Sequence, residues 1–203
     1  MRADSPFSYQ CTRCNSCCTG KRIQVNPYEI ARLAEARGVS TTELRDRYTT
    51  DGALNQDDES KCVFLGEQGC GVHPDRPLVC RLFPLGRSIT ASGDVTFGEV
   101  DRSWARGRFA TDGVVMDYVE AQGAGPFIAA ADAYFDWFCR ANDRLNAASG
   151  GEAGDDGQDD LLDIDTQLAR WSAATGLDQP VGAEARMRLH LSLLDETLEE
   201  DHV

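Results

Sequence analysis

Apolar positions in this chain come in short stripes set off by strong capping and turn signals. Asn26-Pro27-Tyr28-Glu29 opens a helix: Asn26 caps, Pro27 suits the first helical position, and Glu29 completes a capping box. Ile30, Leu33 and Ala34 form its apolar face and Gly38 is placed to end it. Ser40-Thr41-Thr42-Glu43 repeats the signal for a short helix through Tyr48, and a polar loop then runs from Asp51 to Lys61. Cys62-Val63-Phe64-Leu65 reads as a short buried strand or turn, with Gly66 and Gly69 in a tight loop to Cys70. The prolines of Gly71–Pro77 forbid a regular helix there. Leu85–Thr90 and Val95–Val100, joined by Ala91-Ser92-Gly93-Asp94, predict a hairpin.

Helices are predicted over 112–122 and 126–147, the second with Phe127, Ala131, Tyr134, Phe138 and Leu145 on one stripe. Residues 149–160 form an acidic Gly/Asp linker unable to pack a core. Leu161–Thr175 and Ala183–Glu200 then predict a C-terminal helical hairpin, with Leu189, Leu193 and Leu194 free to pack on the main domain or on another subunit. The reading is an α+β, mostly helical fold: a cysteine-rich, loop-rich domain with a β-hairpin and helices over 1–148, the linker over 149–160, and the helical pair over 161–203.

At 203 residues, with 41% hydrophobic and 27% charged residues, the chain can bury a core without covalent staples. No apolar run approaches the roughly 18 residues of a membrane span, and Met1–Pro6 has no apolar signal stretch. These features predict a cytoplasmic protein with no membrane partner. The net charge of -14 repels phosphate backbones, so nucleic acid is not an expected partner. Lys21 and Lys61 are the only lysines, and this acid-rich, arginine-biased composition points to a prokaryotic, salt-adapted source.

The chemistry lies in the cysteines. Seven of the eight fall within the first 80 residues: Cys11, Cys14, Cys17, Cys18, Cys62, Cys70 and Cys80. In a reducing compartment such clusters bind metal instead of forming disulfides. Cys11-x-x-Cys14-x-x-Cys17 lets successive thiolates reach different irons of one cluster, with a fourth thiol arriving from elsewhere. The same spacing also builds zinc knuckles, and the count does not choose between them. Adjacent Cys17 and Cys18 point different ways in an extended chain, which favours two sites or a cluster plus a free thiol. Arg13, Lys21, Arg22, Arg76 and Arg81 flank the thiols in sequence and could offset thiolate charge.

These motifs, Cys11-x-x-Cys14-x-x-Cys17-Cys18, Cys62-Val63-Phe64-Leu65 and Cys70-Gly-Val-His73-Pro-Asp-Arg76-Pro77-Leu-Val-Cys80-Arg81-Leu-Phe83-Pro84, resemble the CxxCxxCC (YkgJ-like) family. Its members are described as zinc- or iron-chelating, or iron–sulfur-cluster-containing, proteins. The resemblance spans roughly residues 9–100 and implies metal binding by all seven clustered cysteines. The chain departs from the family at His73, where Tyr is frequent, and at Trp104-Ala105-Arg106-Gly107, where many members carry a further cysteine. Flagellin lysine N-methylases resemble the family in their cysteine motif, although they are longer.

The leading expectation is a [4Fe–4S] protein for redox, sensing or metal handling, working with a protein or redox partner. Cys11, Cys14 and Cys17 are then core ligands, and Cys80, on a rigid Pro-flanked segment, is the favoured fourth. Structural zinc is the alternative cofactor, and a protein lysine methylation enzyme is the second alternative. No catalytic residue is assigned: the chain lacks Gly-x-Ser-x-Gly, Gly-x-x-x-x-Gly-Lys and Gly-x-Gly-x-x-Gly motifs. Cys139 is expected as a small core residue. Tyr134, Trp137 and Phe138 are expected in the core as well. His73 is expected to be structural or solvent-facing, and His190 and His202 to be bystanders. The C-terminal helices are candidates for self-association.

Overall fold

A computed structural model describes residues 1–90, 93–148 and 158–200. The fold is mixed α and β and mostly helical, with small antiparallel strand pairs. Two compact units are formed, and neither is continuous in sequence: Met1–Val25 joins Tyr48–Phe127, and Asn26–Arg47 joins the chain from Ile128 onward. No helix among the described residues is long and apolar enough to cross a membrane.

The first unit begins with β1 (Pro6–Gln10), which runs directly into the cysteine loop. Two short pairs follow: β2 (Thr49–Thr50) with β3 (Ala53–Leu54), and β4 (Leu65–Gly66) with β5 (Gly69–Cys70). The Leu78–Leu82 segment winds into a short helix of its own. The predicted hairpin forms from β6 (Leu85–Ile89) and β7 (Val95–Glu99), paired from Leu85↔Glu99 to Ile89↔Val95. Its turn residues Ala91 and Ser92 lie outside the described residues.

The largest departure from expectation is β8 (Arg108–Val114), which pairs antiparallel with β1. Asp112–Val114, expected at the start of a helix, belongs instead to this strand. Pairing with Pro6–Gln10 supplies the backbone partners, and Gly113 is a poor helix former. The helix starts only at Val115. Phe7 (on β1) and Tyr118 meet edge-on at 5.2 Å, joining the strand pair to that helix, and Val72, Leu82, Leu85 and Val115 of the same unit are buried.

In the second unit, α1 (Pro27–Arg37) carries the predicted capping box: Glu29 N–H donates to Asn26 Oδ1 and Asn26 N–H to Glu29 Oε2, each at 3.0 Å. Gly38 closes the helix in the left-handed region, φ 65°. Ser40 Oγ accepts from Glu43 N–H at the start of α2 (Thr41–Tyr48). The short helices α3 (Leu78–Leu82) and α4 (Val115–Ala121) belong to the first unit, and α5 (Gly125–Ala148) supplies residues to both. Of the acidic linker, 149–157 lie outside the described residues, while α6 (Gln158–Leu161) is a single helical turn.

The C-terminal pair is α7 (Ile164–Thr175) and α8 (Ala183–Glu200). Ile164 and Leu168 cluster with Ala31 of α1, and Leu189 and Leu193 pack against them.

The stripe on α5 differs from expectation by one position. Trp137 is buried and donates its indole N–H to the Leu194 carbonyl at 3.0 Å, whereas Phe138 is 45% exposed. The helix rotation that turns Tyr134 and Trp137 inward carries Phe138 and Cys139 outward, so Cys139 is exposed and not a core residue. Leu145's side chain and His202 lie outside the described residues. His190 is no bystander: it is fully buried between the Tyr134 hydroxyl and the Leu161 carbonyl.

Candidate metal centre

Local geometry explains how thiols close in sequence meet. Arg13 (φ 54°) and Asn15 (φ 60°) both occupy the left-handed region, which bends the loop after β1 away from an extended path. Ser16–Cys18 then form a 3₁₀ turn, with Cys18 N–H donating to the Asn15 carbonyl at 2.9 Å. That turn overturns the expectation that Cys17 and Cys18 diverge: their sulfurs lie 3.8 Å apart. Lys21 fixes the turn from outside, its ammonium donating to the Ser16 carbonyl at 3.0 Å and lying over the Phe83 and Trp104 rings at 5.3 and 5.0 Å.

Backbone hydrogen bonds tie this turn to the second cysteine segment. Thr19 bridges Lys61 in antiparallel fashion, Gly20 N–H donates to the Ser60 carbonyl, and Cys62 N–H donates to the Cys18 carbonyl at 2.8 Å. Leu65 N–H returns to the Cys62 carbonyl, and β4–β5 pairing places Leu65 opposite Cys70. Gly69, at φ 100°, makes the reversal that brings Cys70 back. Cys18, Cys62 and Cys70 are thus related by main-chain bonds and not only by side-chain packing.

Six of the seven clustered cysteines line one cavity of ≈ 270 Å³: Cys11, Cys17, Cys18, Cys62, Cys70 and Cys80. Its walls also carry Arg13, His73, Arg76 and Arg81, so cationic side chains surround the thiols. Cys14 is not among the lining residues; its thiol is hydrogen-bonded to Ser16 Oγ at 3.2 Å. Cys11 is exposed and its sulfur accepts the Arg13 amide at 3.3 Å. His73 is exposed at the cavity edge, and Arg76 donates to its carbonyl at 2.7 Å.

Arg81 is the most deeply buried cation, 6% exposed. It donates through Nη1 to the Gln122 carbonyl at 3.0 Å and through Nη2 to the Pro74 carbonyl, with its guanidinium 3.9 Å from the Phe127 ring centre. Arg76 donates to Gln122 Oε1 at 2.9 Å. Arg22, by contrast, is engaged with the Asp51 carbonyl and is not among the cavity's lining residues.

The thiols perturb one another. Cys18, hydrogen-bonded to both Cys17 and Cys70, is held strongly protonated. The same bonds draw Cys17 down to about 7 and Cys70 down to about 6, in each case against the opposing effect of burial. Burial raises Cys62. Burial also depresses His73, reinforced by Arg76, Arg13 and Arg81. Thiols beside a cation-lined wall form a soft donor set of the kind that selects zinc or iron–sulfur clusters over hard cations.

Among the described residues, no three His, Cys, Asp or Glu side chains are already disposed to hold a metal ion. The fit rests on donor chemistry and proximity: each thiol turns on a single torsion, and staggered rotation about Cα–Cβ re-aims it without moving the backbone.

Residues 10–101 match the family model CxxCxxCC, "Putative zinc- or iron-chelating domain". The matched segment, a little under half of the chain, encloses all seven clustered cysteines. No curated protein and no solved structure matches the chain.

Proposed function

We propose that this protein holds an iron–sulfur cluster, [4Fe–4S] being the best-supported type, in the cavity of the first unit. The observation that carries this reading is the cavity itself: six thiols around ≈ 270 Å³ offer more room and more sulfur ligands than one metal ion uses. Arg13, Arg76 and Arg81 would offset the negative charge of thiolates and cluster together, which burial otherwise makes costly. A bound cluster would supply one-electron chemistry at iron. The chain's own residues would hold it, shield it and set the polarity around it, as befits redox, sensing or metal handling.

A zinc reading has its own supporting observation. Four thiolates at the Zn–S length of about 2.3 Å sit about 3.8 Å apart, and Cys17 and Cys18 have that separation. Elemental analysis, acid-labile sulfide and visible absorption of protein purified without oxygen test the two. Iron and sulfide in matching amounts with a brown chromophore are expected. Colourless protein carrying zinc alone would replace the cluster with a structural metal ion.

A further inference from the structure

We infer that the metal-holding set is Cys17, Cys18, Cys62 and Cys70, and that Cys11 and Cys14 lie outside it. The inference rests on the metal-binding reading above but not on which metal is bound. It departs from the Cys11–Cys14–Cys17 set that spacing alone suggests.

The four thiols are gathered by connected geometry. Cys17 and Cys18 have their sulfurs 3.8 Å apart. The main-chain bond from Cys62 N–H to the Cys18 carbonyl, at 2.8 Å, fixes the second segment against the first. The Leu65–Cys70 pairing and the bond from Gly71 N–H to the Phe64 carbonyl, at 2.9 Å, fix the hairpin that carries Cys70. All four side chains line the same cavity. A ligand set built this way needs little ordering when metal enters, because its backbone is already hydrogen-bonded in place.

Cys11 and Cys14 are placed differently. Both precede Asn15, the left-handed residue that initiates the 3₁₀ turn. Cys14 is directed to Ser16 and is absent from the cavity lining, and Cys11, although it lines the cavity, is solvent-exposed. Cys80 reaches the cavity from α3. The spacing motif therefore contributes only its last member to the proposed set, and Cys18, which stands outside that spacing, becomes central.

Two measurements on the full chain, purified without oxygen, test this. In the metal-loaded wild type, brief alkylation with iodoacetamide followed by peptide mass spectrometry should modify Cys11 and Cys14 together with exposed Cys139, which serves as the reference thiol. Cys17, Cys18, Cys62 and Cys70 should be protected at least tenfold relative to Cys139, and removal of the metal with a chelator should abolish the protection. In parallel, the double variant Cys11→Ser/Cys14→Ser should keep wild-type metal per chain, while Cys62→Ser loses at least tenfold. Protection of Cys14 equal to that of Cys62, or metal loss in a folded double variant, overturns the partition. If Cys62→Ser does not fold, the alkylation pattern and the double variant still decide. A wild type that binds neither iron nor zinc overturns the metal-binding reading itself, a separate outcome from failure of the partition.

Discussion

The Tyr134 hydroxyl donates a hydrogen bond to His190 Nδ1 at 2.8 Å in the interior of the second unit. The direction follows from the other nitrogen. His190 Nε2 lies 2.9 Å from the Leu161 carbonyl, which can only accept, so Nε2 carries the proton and Nδ1 is left to receive one. Tyr134→Phe removes the donor and leaves a buried nitrogen unsatisfied, at a cost of about 1–3 kcal/mol. Chemical denaturation of wild type and variant should show that loss as a lower midpoint with an unchanged slope.

Acid should destabilise the same unit. Burial holds His190 below its ordinary value of 6.5, opposed by the Leu161 bond and Asp163 and reinforced by Arg45. Once the pH falls below about 6.5, the unfolded chain takes a proton that folded His190 resists. Stability conferred by the neutral ring is thus complete above that pH and falls below it, by up to about 1.4 kcal/mol per pH unit. Unfolding midpoints measured from pH 7.5 to pH 5 should fall more steeply for wild type than for His190→Gln. Carboxylate titrations common to both proteins cancel in that comparison, so parallel curves would refute the assignment.

Arg81 should not tolerate lysine. Its planar guanidinium reaches the Gln122 and Pro74 carbonyls at once while lying on the Phe127 ring. A single ammonium on a flexible stem cannot reproduce that fork. Arg81→Lys should cost about 1–3 kcal/mol in denaturant unfolding. It should also speed metal loss to a chelator, since one cation of the cavity wall is displaced.

Gly107 is required for close approach. A Cβ there would lie 2.4 Å from the Gln10 carbonyl oxygen and 2.4 Å from the Tyr9 ring, where the Tyr9 hydroxyl now accepts the Gly107 amide at 3.2 Å. Because one obstructing atom is backbone, the strand must move. Gly107→Ala should destabilise by about 1–3 kcal/mol. Hydrogen exchange should locate the loosening at β1 and β8, next to the cysteine loop.

Features encoded by residues close in sequence were legible before the structure. The Asn26–Glu29 capping box, the Gly38 stop and the 85–99 hairpin each depend on a few neighbouring side chains. The β1–β8 pairing was not legible, because it joins segments about a hundred residues apart and neither is long or apolar enough to announce a partner. The cysteine motif named the domain but not the order among its thiols. That order depends on the left-handed turn at Asn15 and on the Cys62–Cys18 backbone bond. His190 was missed for a related reason: on an acidic helix it resembles a surface residue, and only the phases of α5 and α8 bring Tyr134 to it.

The interleaving of the two units bears on how the protein is made. During synthesis Cys17 and Cys18 leave the ribosome first, and the segment that follows them, α1 and most of α2, belongs to the other unit. Only when residues 60–71 emerge does the Cys18 carbonyl gain its amide partner and Cys70 its hairpin. A nascent chain therefore carries Cys11, Cys14, Cys17 and Cys18 out of the ribosome well before the backbone bonds that place Cys18 and Cys70 can form.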